Sequence, residues 1–274
     1  MSPIPSLTMN DGHPIPQLGF GVWNVPKEDT ADVVASALKV GYRLIDGAYI
    51  YGNEAGLGAG VRQSGLSRDS VFITTKVWNS DQGKDKTRMS VERSLKAIGV
   101  DQLDLVLIHW PAPKQDLYVE TWKALIGLRE EGLIRSIGVS NFNADHLDRL
   151  IAETDVVPVV NQIEVNPKLQ QAALCAANEA RSIISQAWTP LGNGASFDED
   201  PIRTIAERVG KSPAQVILRW HLQSGRVVIP RSSNAQRQAQ NVDLFDFELT
   251  DAEMQAFKAL EAGMRTGPDP LQFE

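Results

Sequence analysis

The chain has 274 residues, of which 42% are hydrophobic and 22% charged, and its formal net charge is −7. That acidic balance argues against nucleic acid or an anionic membrane as the main partner, while leaving room for an anionic small molecule in a local basic pocket. A single cysteine, Cys175, rules out an intramolecular disulfide, and no apolar run approaches the roughly 20 residues that span a bilayer.

Residues 1–10 show neither a basic nor an apolar leader, so a cytoplasmic protein with no membrane partner is expected. Residues 7–9, the turn Asn10-Asp11-Gly12 and residues 15–18 read as a hairpin. A short strand follows at 19–21. A helix is predicted over 30–40, with Ala31, Val34, Ala35 and Leu38 at helical spacing and Gly41 as its stop. Strands at 43–46, 71–76 and 103–109 lead into helices near 53–64, 88–98 and 118–131. Gly99 and Gly132 stop the last two. The second half continues with strands at 136–140, 159–164, 182–187 and 227–229. Helices at 144–153, 170–179, 202–209 and 213–224 lie between them, and two more follow near 236–241 and 251–260. Eight short apolar strands alternating with helices mean a parallel sheet covered by helices. Eight such units in this length fit a closed barrel. The expected fold is therefore α/β, a (β/α)8 TIM barrel with an N-terminal hairpin, as one domain over 1–274.

Such barrels carry their chemistry at the C-terminal ends of the strands. Here the second, third and fourth barrel strands end in Asp46, Lys76 and His109, and Tyr51 follows Asp46 closely. A structural ion pair with a hydrogen-bonded core histidine would explain each residue singly. Their occurrence at successive strand ends favours a catalytic group. An ordinary tyrosine, with a pKa of about 10, is a reluctant acid. A neighbouring ammonium stabilises its anion and lowers that pKa. Tyr51 thus reads as a general acid tuned by Lys76. Asp46 would hold the lysine, and His109 would orient a carbonyl oxygen.

The run from Gly56 to Val61 imitates a dinucleotide fingerprint. It lacks the third glycine and sits inside a predicted helix, so it reads as small residues that let that helix pack closely. Phosphate is better placed after the last two strands. Leu191-Gly192-Asn193-Gly194 can present backbone amides, and Pro230-Arg231-Ser232-Ser233 leads into a helix with Arg237 and Asn241. Paired arginines suit a 2′-phosphate and so NADPH; a solvated basic turn is the plainer alternative. Trp188 offers a face for a nicotinamide ring, or is simply core. No metal is expected.

The chain resembles the aldo-keto reductases over essentially its whole length, most of all the bacterial 2,5-diketo-D-gluconate reductases. The matching stretches are Arg43-Leu44-Ile45-Asp46, Tyr51-Gly52-Asn53-Glu54, Ile73-Thr74-Thr75-Lys76, Ile108-His109-Trp110-Pro111, Gly138-Val139-Ser140-Asn141-Phe142 and Asn161-Gln162-Ile163-Glu164, with the stretch from Asn10 to Gly21. The resemblance implies NADPH-dependent carbonyl reduction by the tetrad Asp46, Tyr51, Lys76 and His109. It also implies nicotinamide contacts from Ser140, Asn141, Gln162 and Trp188. Phosphate and adenine contacts would come from Leu191, Arg231, Ser232, Arg237 and Asn241, and Trp23, Trp78 and Trp110 would line a pocket for a small carbonyl substrate.

This sequence departs from the family pattern at Gly47, Asn166, Arg231 and Gln240. Gly47 is expected to loosen the backbone beside Asp46. Segment 262–274 is short, from which an open, permissive pocket follows. Two other readings remain at this point: a non-enzymatic NADPH-binding barrel, and an aldolase-like barrel using Lys76 as a Schiff base. A monomer is expected.

Overall fold

The computed structural model describes residues 3–274. Strands β1 (Ser6–Thr8) and β2 (Pro14–Pro16) pair antiparallel, with Leu7 opposite Ile15. Eight parallel strands then neighbour one another in chain order. They are β3 (Phe20–Gly21), β4 (Leu44–Asp46), β5 (Phe72–Val77), β6 (Leu103–Ile108), β7 (Ile134–Ser140), β8 (Val160–Glu164), β9 (Ile184–Trp188) and β10 (Val227–Val228). The first and last of these meet. Gly19 N donates to Val228 O at 2.8 Å, and Val228 N to Gln17 O at 3.0 Å, which closes the ring. The fold is the expected (β/α)8 barrel with its hairpin.

Ten helices occur among the described residues: α1 (Thr30–Lys39), α2 (Glu54–Gln63), α3 (Lys84–Ile98), α4 (Tyr118–Glu130), α5 (Ala144–Thr154), α6 (Ala172–Glu179), α7 (Asp200–Val209), α8 (Pro213–Gln223), α9 (Ala235–Val242) and α10 (Asp251–Ala256). Two depart from the predicted pattern. Helix α3 begins at Lys84 rather than near Arg88, because part of its buried face is Thr87, Ser90 and Ser94, which apolar periodicity does not register. The predicted 251–260 helix is α-helical only to Ala256 and tightens into a 3-10 turn at Phe257–Leu260.

The glycines of α2 serve close packing, as their sequence context implies. A Cβ on Gly58 would lie 1.8 Å from Ile98 O, and one on Gly60 2.5 Å from Ala31 O. Helix α2 thereby sits directly against α1 and the end of α3.

The hairpin explains why only one end of the barrel is available for chemistry. Met9 and Ile15 are buried with Leu44, Phe72, Leu105, Leu107 and Val160 in an apolar cluster of their own. Burial of side chains this size is worth about 1.5–3 kcal/mol each. Polar ties add to this: Asn10 Nδ2 donates to Pro158 O at 3.0 Å, and Ser136 Oγ donates to Asp11 Oδ2 at 2.7 Å. The N-terminal mouth is plugged and the C-terminal mouth is left open. Among the described residues, no helix is long and apolar enough to cross a membrane.

Candidate active site

Asp46 ends β4, Lys76 is the penultimate residue of β5, and His109 is the first residue beyond β6. Tyr51 closes a 3-10 turn, Tyr49–Tyr51, that begins just after β4. These elements bring all four side chains to the open mouth. Lys76 Nζ donates to Asp46 Oδ1 at 2.6 Å and to Gly47 O at 2.9 Å, with both side chains buried. The other carboxylate oxygen accepts from Gln162 Nε2 at 2.7 Å, and that amide also donates to Gln186 Oε1 at 2.9 Å. Lys76 Nζ lies 5.4 Å from the centre of the Tyr51 ring. The His109 ring stands edge-on to Tyr51, 5.8 Å between centres, and its Nδ1 is buried with no hydrogen-bond partner among the described residues.

The electrostatics follow from burial. Removal from water pushes the Tyr51 pKa up; Lys76 pulls it down, but not far enough, so it stays above the ordinary tyrosine value. The sequence argument has Lys76 lowering this pKa, and the net direction is the reverse because burial outweighs the single ammonium. For Lys76 itself, burial disfavours the charge. The Asp46 carboxylate and Tyr51 together overcome that, leaving its pKa raised. Burial, assisted by Lys76, holds His109 well below the ordinary histidine value, so its imidazole is neutral near pH 7. The site thus combines a protonated tyrosine, a charged lysine and a neutral imidazole. A fully buried lysine that Asp46 holds in its charged form is a poor Schiff-base nucleophile, which weighs against the aldolase-like reading.

A cavity of about 1100 Å³ opens above the tetrad. Tyr51, His109 and Asp46 line it together with Trp23, Trp78 and Trp110, while Lys76 lies beneath. Of the residues expected to hold a cofactor, Ser140, Asn141, Gln162, Trp188, Leu191, Arg231 and Arg237 reach this cavity. Ser232 and Asn241 do not: the Ser232 hydroxyl accepts from Asn234 N at 3.2 Å, and Asn241 is buried on α9. At 191–194, where an amide cradle is expected, two of the amides are already taken. The amides of Gly192 and Gly194 donate to Thr189 O and Leu191 O, closing a tight turn on itself. Gly47, where a looser backbone is expected, has its amide bonded to Thr74 O at 2.9 Å and its carbonyl bonded to Lys76 Nζ.

Side chains around the mouth are fixed to one another. Asn141 Nδ2 donates to His109 O at 3.0 Å, and Trp188 Nε1 donates to Asn141 Oδ1 at 2.9 Å, locking the indole. Asn141 and Thr189 both take left-handed backbone, with φ of 64° and 47°. For a β-branched residue such as Thr189 that conformation is strained, and strain of this kind collects at functional sites.

Several lining residues carry no local sequence signal. Lys27 and Ile50 flank Tyr51, and Thr266, Gly267 and Phe273 come from the 262–274 segment. Phe273 packs 4.6 Å from Trp110 and 6.0 Å from Trp78. The segment thus covers the Trp78–Trp110 side of the pocket.

Comparison with known proteins agrees with this geometry. Residues 17–262 match the model of the Aldo/keto reductase family. An aldo-keto reductase of Mycolicibacterium smegmatis is 50% identical over 269 residues, covering 98% of each chain. The methylglyoxal reductase DkgA of Escherichia coli K12 is 47% identical over 269 residues, 97% of each. Among solved structures, a mutant of Gox0644 in complex with NADPH superposes with a TM-score of 0.96 at 45% identity, covering 100% of both chains.

Proposed function

The chain belongs to the aldo/keto reductase family, and on that premise we propose that Tyr51 is the proton donor in its reduction of small aldehydes and ketones. The protein is an NADP-dependent oxidoreductase. The observation that carries the assignment is the Lys76 ammonium, buried, paired with Asp46 and 5.4 Å from the Tyr51 ring.

Bound NADPH supplies the hydride. The Tyr51 hydroxyl gives its proton to the carbonyl oxygen, and the Lys76 charge stabilises the phenolate that develops. Asp46, itself held by Gln162, keeps Lys76 charged and in place. The neutral His109 imidazole hydrogen-bonds the same oxygen and orients it. The chain's own residues fit the cofactor. Arg231 and Arg237 line the cavity and make no ion pair among the described residues, which leaves both free for phosphate. Trp188, fixed through Asn141, presents a ring for the nicotinamide beside Ser140 and Gln162. Leu191 completes the assignment at the phosphate and adenine end, while Ser232 and Asn241, outside the cavity lining, are not part of it. Trp23, Trp78 and Trp110 wall the substrate.

A binding-only barrel would have no use for the assembled tetrad. Similarity to a methylglyoxal reductase and the roof from 262–274 favour small dicarbonyls, methylglyoxal first and 2,5-diketo-D-gluconate second. The single cysteine supports the cytoplasm as the compartment, and we take the working state as a monomer. Tyr51→Phe tests the assignment. Turnover of methylglyoxal with NADPH is expected to fall by about 10²–10⁴-fold, with NADPH affinity, read by fluorescence titration, unchanged. Retained turnover would remove Tyr51 from the role.

A further inference from the structure

Glu164, the last residue of β8, plays no part in the mechanism above, yet its side chain is fully buried. Its partners come almost entirely from one distant segment. Oε1 accepts from Thr266 N at 2.7 Å and from Thr266 Oγ1 at 2.6 Å; Oε2 accepts from Gly267 N at 3.1 Å and lies 3.9 Å from the Arg265 guanidinium. The remaining side-chain donor is Asn166 Nδ2, at 3.4 Å. The loop after Glu164 adds to this hold, because Lys168 O accepts from both Ala262 N and Met264 N at 3.1 Å.

A buried carboxylate stripped of its donors is costly. Glu164 and residues 265–267 are therefore bound to act as one unit, and that unit has consequences at the pocket. Gly267 lies against the edge of the Trp188 indole, where a Cβ would come within 2.4 Å of the ring. Farther along, Phe273 covers Trp110 and Trp78, and Lys114 N donates to Glu274 Oε1 at 3.1 Å.

We propose that Glu164 is a specificity-determining positioning residue: it latches residues 265–267, and so holds the roof that confines the pocket to small carbonyl compounds. Glu164 lies outside the pocket lining and acts only through the segment it holds. The inference rests on the reductase reading and gives its latch a substrate consequence.

The test compares kcat/KM for methylglyoxal and for a bulky aromatic aldehyde in the wild type, Glu164→Gln and Thr266→Val. The first variant keeps the side chain's size but turns one acceptor into a donor facing Gly267 N or Thr266. The second removes a single hydroxyl and keeps a side chain of similar shape, so it stands in if the first does not fold. With the roof loosened, methylglyoxal should lose about tenfold in kcat/KM, mainly through KM. The bulky aldehyde should hold steady or improve, and limited proteolysis should cut within 262–274 faster. An equal loss for both substrates, or an unchanged ratio with unchanged proteolysis, overturns the latch. A wild-type protein inactive on both aldehydes would instead overturn the reductase reading on which it rests.

Discussion

Replacing Lys76 by Met tests whether its charge, rather than its bulk, drives the reaction. The ammonium lies 5.4 Å from the Tyr51 ring. At an effective dielectric of about 20, a full negative charge there gains about 3 kcal/mol from Lys76, and a half-developed one about 1.5 kcal/mol. The kcat of Lys76→Met should accordingly fall by about tenfold to about a hundredfold. The variant also strands Asp46, which costs about 3–5 kcal/mol of stability, so circular dichroism must first establish that it is folded at the assay temperature. The pH profile gives the sharper readout. Burial holds the Tyr51 pKa above its ordinary value while Lys76 pulls it down, so removing the lysine moves the alkaline limb of kcat further up. The measurement is NADPH oxidation across the alkaline range in both proteins. A limb that stays put or moves down, or a kcat within about twofold of wild type, would refute the argument.

Arg231→Ala and Arg237→Ala should each raise the KM for NADPH by about tenfold or more, the worth of a charge-assisted hydrogen bond, and leave NADH nearly unaffected. An equal effect on both cofactors would place the arginines at a phosphate they share. Two of the three buried histidines, His109 and His221, make a marked contribution to acid stability. Burial, with Lys76 for one and Arg226 for the other, holds His109 and His221 well below the ordinary value of 6.5 in the folded chain. The unfolded chain therefore binds protons below pH 6.5 that the folded chain refuses. Stability is full above that pH and falls as pH drops, by up to about 1.4 kcal/mol per pH unit for each histidine. Urea midpoints at pH 7 and 5.5 measure this, and equal midpoints would contradict it.

How far the sequence can be read depends on the range of the contacts involved. Asp46, Lys76 and His109 are legible because each ends an apolar strand, and barrel geometry then brings strand ends together. The glycines of α2 are legible because a strand–turn–helix context is missing around them. The first turn of α3 is hidden because its buried face includes Thr87, Ser90 and Ser94. The roof is hidden for a different reason: Glu164 and Thr266 are about a hundred residues apart, and neither neighbourhood carries a pattern that announces the other. The net direction of the Tyr51 pKa needs a balance between desolvation and one ammonium, which residue identities alone do not strike.

The acidic composition and the pocket have opposite signs, and the reason lies in the tetrad. Of the carboxylates and cationic side chains that line the cavity among the described residues, Asp46 is the lone acid, against Lys27, Arg231 and Arg237. Lys76 cancels the Asp46 charge from beneath, at 2.6 Å. What faces the solvent in the mouth is then a set of cations within a protein of net charge −7. A concave site lined by one sign concentrates field and draws in ligands of the other sign. The polyanionic cofactor fits that field, and a small neutral dicarbonyl does not need it. On the proposed assignment, affinity for the two reactants rests on different residues: charge at Arg231 and Arg237 for the dinucleotide, and the aromatic walls with the latched roof for the carbonyl. The buried ion pair serves neither affinity, because its charge is matched within the protein and exerted on Tyr51. For that reason damage to the Asp46–Lys76 pair belongs in kcat, and damage to the arginines or the roof belongs in KM.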